Sequence, residues 1–260
     1  MSGHVSRTAT GVPWWRWLVA VATVTPVLRW LVLVHAVPPE EPWRRGCPYC
    51  AVPIAPGAGL APLRPPGRCG SCGRWVGAPA YLLEAVCVVV AGLVVVAAVG
   101  RSPAEAVALG GWAVLAVALT FIDLAVHRLP DRLTLPAAAW VLAWLGVAAA
   151  TGAGAGAGAG GGWVRAAAAA AVCGTGFLLA TLLLGERAFG LGDAKLAVSV
   201  GALLGWVGWY AVVGGLLVAF LGSGLVAVGL LVTRRLTWRD SLPFGPYLIG
   251  GALLALAWLG

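Results

Sequence analysis

Eight apolar runs, parted by short segments that hold most of the charge, constrain this chain more than anything else in it. A helix needs roughly 20 apolar residues to cross the hydrocarbon of a bilayer. The runs are Trp17–Val37, Ala80–Val99, Ala104–Val126, Leu133–Ala150, Trp163–Gly185, Asp193–Trp206, Trp209–Val232 and Phe244–Leu259, the sixth being short. Composition points the same way: 61% of the 260 residues are hydrophobic and 10% are charged, against about 25% charged in a soluble domain. A water-soluble globule, a disordered chain and a disulfide-stapled mini-protein are excluded. The expected fold is all-α, a polytopic transmembrane bundle of about eight spans.

Loop charge orients the bundle, because Lys and Arg collect on the cytoplasmic side of short loops. With the segment between the first two runs inside, twelve Lys and Arg residues lie inside, among them Arg44, Arg64, Arg128, Lys195 and Arg235. Four lie outside (Arg7, Arg16, Arg101 and Arg165), and Arg29 falls within the first run. Both termini are therefore expected outside. The net charge of +8 suits inner loops beside anionic headgroups, and no basic run with interleaved aromatics suggests nucleic acid. Three units follow: an N-terminal segment with the first span (1–37), a cytoplasmic loop (38–79) and a transmembrane unit (80–260). The last contains an Ala/Gly tract over 152–162, read as a flexible linker on the outer face.

The loop carries Cys47-Pro48-Tyr49-Cys50 and Cys69-Gly70-Ser71-Cys72. Two C-x2-C pairs can supply four thiolates to one tetrahedral zinc ion. Two disulfides are the alternative, disfavoured in a reducing compartment. Four thiolates leave no open position, so the metal is expected to be structural and to order a loop that has no core of its own. Cys87 and Cys173, inside apolar runs, read as small buried hydrophobes.

Acidic residues inside spans are costly, and they mark function. Asp123 lies near the inner end of the third run, and Asp193 opens the sixth after Gly190-Leu191-Gly192. Both fall at one depth on the inner side. The glycines allow close backbone approach, so Asp193 can sit against another helix. Two such carboxylates can share a proton, one activating water and the other polarising a peptide carbonyl. Taken singly, Asp193 also reads as a helix cap and Asp123 as an interface residue. Glu84, one turn into the second span, reads as a partner for a loop arginine or as a substrate-positioning group. Asp131 after Pro130 reads as turn chemistry.

Four blocks in order resemble the prepilin peptidases, membrane aspartic proteases that process type IV pilins and pseudopilins. They are Cys47–Glu84, the stretch from Phe121-Ile122-Asp123 to Arg128-Leu129-Pro130-Asp131, Gly190-Leu191-Gly192-Asp193-Ala194-Lys195, and Pro243-Phe244-Gly245-Pro246. The resemblance implies that Asp123 and Asp193 are the catalytic pair, with Gly190, Gly192, Lys195 and Glu84 in support. It implies an enzyme of the bacterial cytoplasmic membrane, its active site facing the cytoplasm. The implied substrates are prepilins or pseudopilins with a short basic leader ahead of a hydrophobic helix. Many members of the family then methylate the new N-terminus with S-adenosylmethionine. They usually carry a glycine-serine-phenylalanine-leucine-asparagine stretch in the first span. This chain has Leu28-Arg29-Trp30-Leu31-Val32 there, so methyl transfer is expected to be weak or absent, with Arg29 pairing instead with Glu84. The competing readings are an ion-coupled transporter using the two aspartates, a non-enzymatic assembly factor organised by the zinc loop, and a presenilin-like protease. The transporter and the assembly factor leave the cysteine loop or the paired aspartates without a role. The presenilin-like reading lacks the tyrosine expected before the first aspartate.

Overall fold

The computed structural model describes residues 14–38, 41–53, 63–152, 158–185, 190–235, 237 and 242–260. Glu40, Glu186, Arg187, Arg239 and Asp240, which the sequence places in loops, lie outside the described residues. Eight helices follow one another: α1 (Trp14–His35), α2 (Leu82–Ala98), α3 (Pro103–Val126), α4 (Asp131–Ala150), α5 (Gly158–Leu184), α6 (Leu191–Val207), α7 (Trp209–Val232) and α8 (Gly245–Leu259). Each coincides with one of the eight apolar runs to within a few residues. Among the described residues there is no strand, only isolated bridges at Gly46–Pro53 and Arg68–Trp75. Among the described residues four helices are long and apolar enough to cross a membrane: α3, α4, α7 and the part of α5 from Gly161 to Leu184.

Local chemistry sets the helix ends. Ser102 caps α3, accepting from Glu105 N–H at 3.3 Å while the Glu105 carboxylate accepts from Ser102 N–H at 2.7 Å, a reciprocal arrangement that satisfies two otherwise orphan donors. At its other end α3 stops on His127, whose φ of 50° is left-handed. The C-terminal carbonyls of α6 have no partners within their own helix. Arg165 of α5 reaches across to them, donating to Gly205 O at 2.7 Å and Trp206 O at 2.6 Å.

The Ala/Gly tract departs from the flexible linker that its composition suggests, since α5 begins inside it at Gly158. Neighbouring packing explains the difference. Position 162 faces the Trp206 ring, where a Cβ would already be in contact at 3.4 Å. Trp163 donates to Leu142 O of α4 at 3.2 Å. These contacts hold a glycine-rich stretch in a helix that it would not form alone.

The core lies where α3, α4, α6 and α8 meet. Trp112, Leu119, Ile122, Val141, Leu196, Leu204 and Leu248 are buried there. Cys87 and Cys173 are buried as well. Successive helices reverse direction, so the end of α1, the start of α2, the end of α3 and the starts of α4 and α6 share one end of the bundle. Residues 36–38, 41–53 and 63–81 sit at that end. Arg128, in the α3–α4 connection, donates to Pro38 O at 3.4 Å and stacks on Trp43 with 5.0 Å to the ring centre.

Candidate active site and cysteine centre

Asp123 and Asp193 are both buried at that shared end. Asp123 lies in the last turn of α3, and its Oδ2 accepts a 3.0 Å hydrogen bond from Gly245 N–H at the start of α8. A Cβ at position 245 would stand 2.7 Å from the same oxygen and would push the carboxylate aside. Asp193 is the third residue of α6, and its Oδ2 accepts from Gly190 N–H at 3.0 Å. The capping role available to an aspartate at a helix start is therefore present, with Asp193 inside the first turn and Gly190 at the cap itself.

Leu129 packs on the two glycines that adjoin the carboxylates. A Cβ on Gly192 would stand 2.7 Å from Leu129 Cβ, and one on Gly245 would stand 3.5 Å from Leu129 Cδ1. Gly192 thus lets the start of α6 close onto the α3–α4 connection, and Gly245 lets α8 close onto the end of α3. Asp123, Gly245, Leu129, Gly192 and Asp193 form one continuous set of neighbours. The sequence singled out the Pro-Phe-Gly-Pro block without giving Gly245 a role; its N–H is the partner that Asp123 required. Phe244 of that block packs against Phe177 of α5 and Phe220 of α7, with ring centres 5.7 and 5.1 Å away.

Lys195 and Asp131 form an exposed ion pair of 2.6 Å joining the first turns of α6 and α4. Glu84 is not held by an arginine of the cysteine loop. Its partner is Arg29 of α1, which meets both carboxylate oxygens at 2.7 and 2.8 Å. The Arg29 guanidinium is almost wholly buried. It also donates to Ala78 O at 3.2 Å and Pro65 O at 2.8 Å. The side chain expected to fix the packing of the first span thus also holds the chain on either side of the second cysteine pair.

The loop itself is built from two matching knuckles. Each starts with a bridge from the residue before its first cysteine, Gly46 to Pro53 and Arg68 to Trp75. In each the first cysteine's carbonyl accepts from the residue four further on, Ala51 N–H and Gly73 N–H, both at 2.9 Å. Those two residues are left-handed, with φ of 56° and 66°. Arg74 of the second knuckle lies over Tyr49 of the first, 4.8 Å from the ring centre. All four Sγ atoms fall within 4.8 Å of one another. Cys47–Cys72 and Cys50–Cys69 are 3.8 and 3.6 Å apart, and a tetrahedral zinc with 2.3 Å Zn–S bonds separates its sulfurs by about 3.8 Å. The backbone N–H groups of Cys72 and Ser71 push the Cys69 thiol down to about 6, toward the thiolate that binds metal. The four cysteines are free thiols that fit a metal ion.

Residues 108–233 match the model of the type IV leader peptidase family. The chain is 34% identical to the prepilin leader peptidase/N-methyltransferase of Aeromonas salmonicida, over 83% of its own length and 71% of that protein. The chain belongs to the type IV leader peptidase family. The proteins of the same name from Aeromonas hydrophila (34% identical, 83% of this chain and 71% of that one) and Pseudomonas aeruginosa (31%, 82% and 70%) are similar over comparable spans. No solved structure matches the chain. Both buried aspartates lie within the span matched to the leader peptidase family. The cysteine loop precedes that span.

Proposed function

We propose that the chain is an integral enzyme of the bacterial cytoplasmic membrane that removes short basic leaders from prepilins or pseudopilins, with Asp123 and Asp193 as its catalytic pair. The observation that carries this reading is that two buried carboxylates, 70 positions apart in the sequence, lie at one end of the bundle, beside two glycines that both pack on Leu129. One carboxylate, ionised, takes a proton from water as the water attacks the scissile carbonyl. The other, protonated, donates to the carbonyl oxygen and then helps the amine leave. Neither a covalent intermediate nor a metal enters the reaction. The active site faces the cytoplasm, supported by the twelve basic residues on the loop side, and about eight spans cross the bilayer. Outward-facing Val213, Leu217, Leu221 and Leu225 of α7 meet lipid. Residues 1–37, 38–79 and 80–260 serve as anchor, zinc-binding loop and peptidase unit. Cys47, Cys50, Cys69 and Cys72 hold structural zinc, while Gly190, Gly192, Lys195 and Glu84 position the machinery.

The test is co-expression with a candidate prepilin, reading leader removal by gel shift. Asp123→Asn and Asp193→Asn should each abolish cleavage in inserted, folded protein, and the double variant should lose no more than either single one. Cleavage retained by either variant removes the pair from the mechanism.

A second activity, methylation of the new N-terminus with S-adenosylmethionine, is favoured by the cysteine centre and by the names of the relatives. Against it stands Arg29, engaged in structural bonds where the family usually has small residues and an asparagine. The cavity between α1, α2 and α3, about 250 Å³, is lined by apolar residues such as Val24, Leu28, Val90 and Val117, whereas such a cofactor needs convergent polar groups. Methylation is expected to be weak or absent. Mass spectrometry of the processed product, with and without the cofactor, measures it.

A further inference from the structure

Two indole bridges join α3 and α6, the helices that carry Asp123 and Asp193. The Trp112 Nε1–H of α3 donates to Ser199 Oγ of α6 at 3.0 Å, and both side chains are fully buried. In return, the Trp206 Nε1–H of α6 donates to Glu105 Oε1 of α3. Trp112 follows Glu105 by seven residues, and Ser199 precedes Trp206 by seven. The helices therefore run antiparallel with rungs two turns apart, roughly 10.5 Å. Two further turns in the same directions reach Leu119 and Gly192. Leu119 lies one turn before Asp123, and Gly192 lies immediately before Asp193. The two carboxylates flank that third level, Asp123 beyond it and Asp193 just short of it.

Its bonds bridge two helices that otherwise meet mainly through α4 and α8. Both α3 and α6 pack against α4 and α8. The surface of α6 is largely Ala, Val, Leu and Gly, and such a face tolerates axial sliding. A hydrogen bond does not, because its distance and angle are restricted, and a buried indole N–H left unpaired in a dry interior is costly. Ser199 is itself oriented, since its hydroxyl donates to Leu196 O at 2.9 Å and leaves the oxygen lone pairs for the indole.

We infer that Trp112 and Ser199 are positioning residues of the peptidase: their hydrogen bond fixes the axial register of α3 against α6, and through it the separation of Asp123 and Asp193. The inference rests on the reading of those aspartates as the catalytic pair.

The test uses the full chain in lipid nanodiscs and a synthetic peptide with a basic leader joined to an apolar helix. Trp112→Phe retains the ring packing and loses the donor; Ser199→Ala loses the acceptor. Each should lower kcat by between about tenfold and a hundredfold, leave KM within about twofold, and displace the limbs of the pH–rate profile. The double variant should be no worse than the single ones, because one bond is lost in all three. In parallel, nitroxides attached through non-canonical amino acids at positions 124 and 191 report the separation of the inner ends of α3 and α6 by pulsed electron resonance. Both variants should broaden or shift that distance distribution. An unchanged distribution overturns the inference, as does a folded variant whose kcat and pH profile match the wild type. If the wild-type chain leaves the peptide uncut, the reading of the aspartates has failed, and the distance measurement still decides whether the bond sets the register.

Discussion

Two glycines at the candidate site are fixed by what they touch. At position 192 the neighbour is Leu129 Cβ, an atom tied to the backbone, so an added methyl forces α6 and the α3–α4 connection apart. At position 245 the neighbour is the Asp123 carboxylate oxygen. Gly192→Ala should therefore destabilise the protein by about 1–3 kcal/mol, read as a lower melting temperature. Gly245→Ala should act on the carboxylate, with cleavage falling by more than about tenfold at a smaller cost in melting temperature. Equal thermal losses with full activity at position 245 would contradict this assignment. Ala51 offers the opposite case. It holds a left-handed φ of 56° where the matching position of the second knuckle has Gly73. That conformation costs an L-residue roughly 1–2 kcal/mol, of which glycine's greater chain entropy takes back about half. Ala51→Gly should slow hydrogen exchange in the first knuckle, and faster exchange would show that φ is not the limiting strain.

Among the elements, the helices were legible because each apolar run ends at a breaker or a charge, as at Ser102-Pro103 and His127-Arg128-Leu129-Pro130. The two aspartates stood out because a carboxylate in such a run has no other ready explanation. The partner of the first could not be read in the same way. Asp123 and its partner Gly245 are 122 positions apart, and only the folded bundle brings α8 to the end of α3. The start of α5 was obscured for the same reason, since glycine has low helix propensity and Trp206 supplies the missing support. The cysteine loop lies between these extremes: spacing picked out four cysteines that could hold a metal ion, and the fold added the matching turns. Because the four thiolates leave no open position, brief chelation should leave cleavage intact in the folded enzyme, whereas replacing Cys47 and Cys50 with Ser should reduce loop order and protein yield. Immediate loss of turnover on chelation would make the metal part of the chemistry.

Seen as one molecule, the protein separates its tasks between the two ends of the bundle. Arg165 and the Glu105–Trp206 bridge close the far end. Asp123, Asp193, the Lys195–Asp131 pair and the cysteine loop occupy the near end. Arg29 connects that near end to the membrane interior, and its geometry has a consequence for biogenesis. When α1 leaves the ribosome, its guanidinium lacks all its partners: Pro65 O and Ala78 O come tens of residues later, and Glu84 comes 55 residues later. At about 5–20 residues per second, synthesis of that stretch takes seconds. Throughout that time α1 carries an unpaired charge in its inner half, which weighs against insertion by up to about 2–3 kcal/mol. Nascent chains arrested before Glu84 should therefore seat α1 poorly, and chains arrested after α2 has emerged should seat it fully. Glycosylation-site mapping on arrested chains reads the difference, and equal seating at both lengths would rule the dependence out. The first helix of this protein becomes a stable membrane resident only when the second delivers its counter-ion, so the two enter the bilayer as a pair and the cysteine loop is drawn shut behind them.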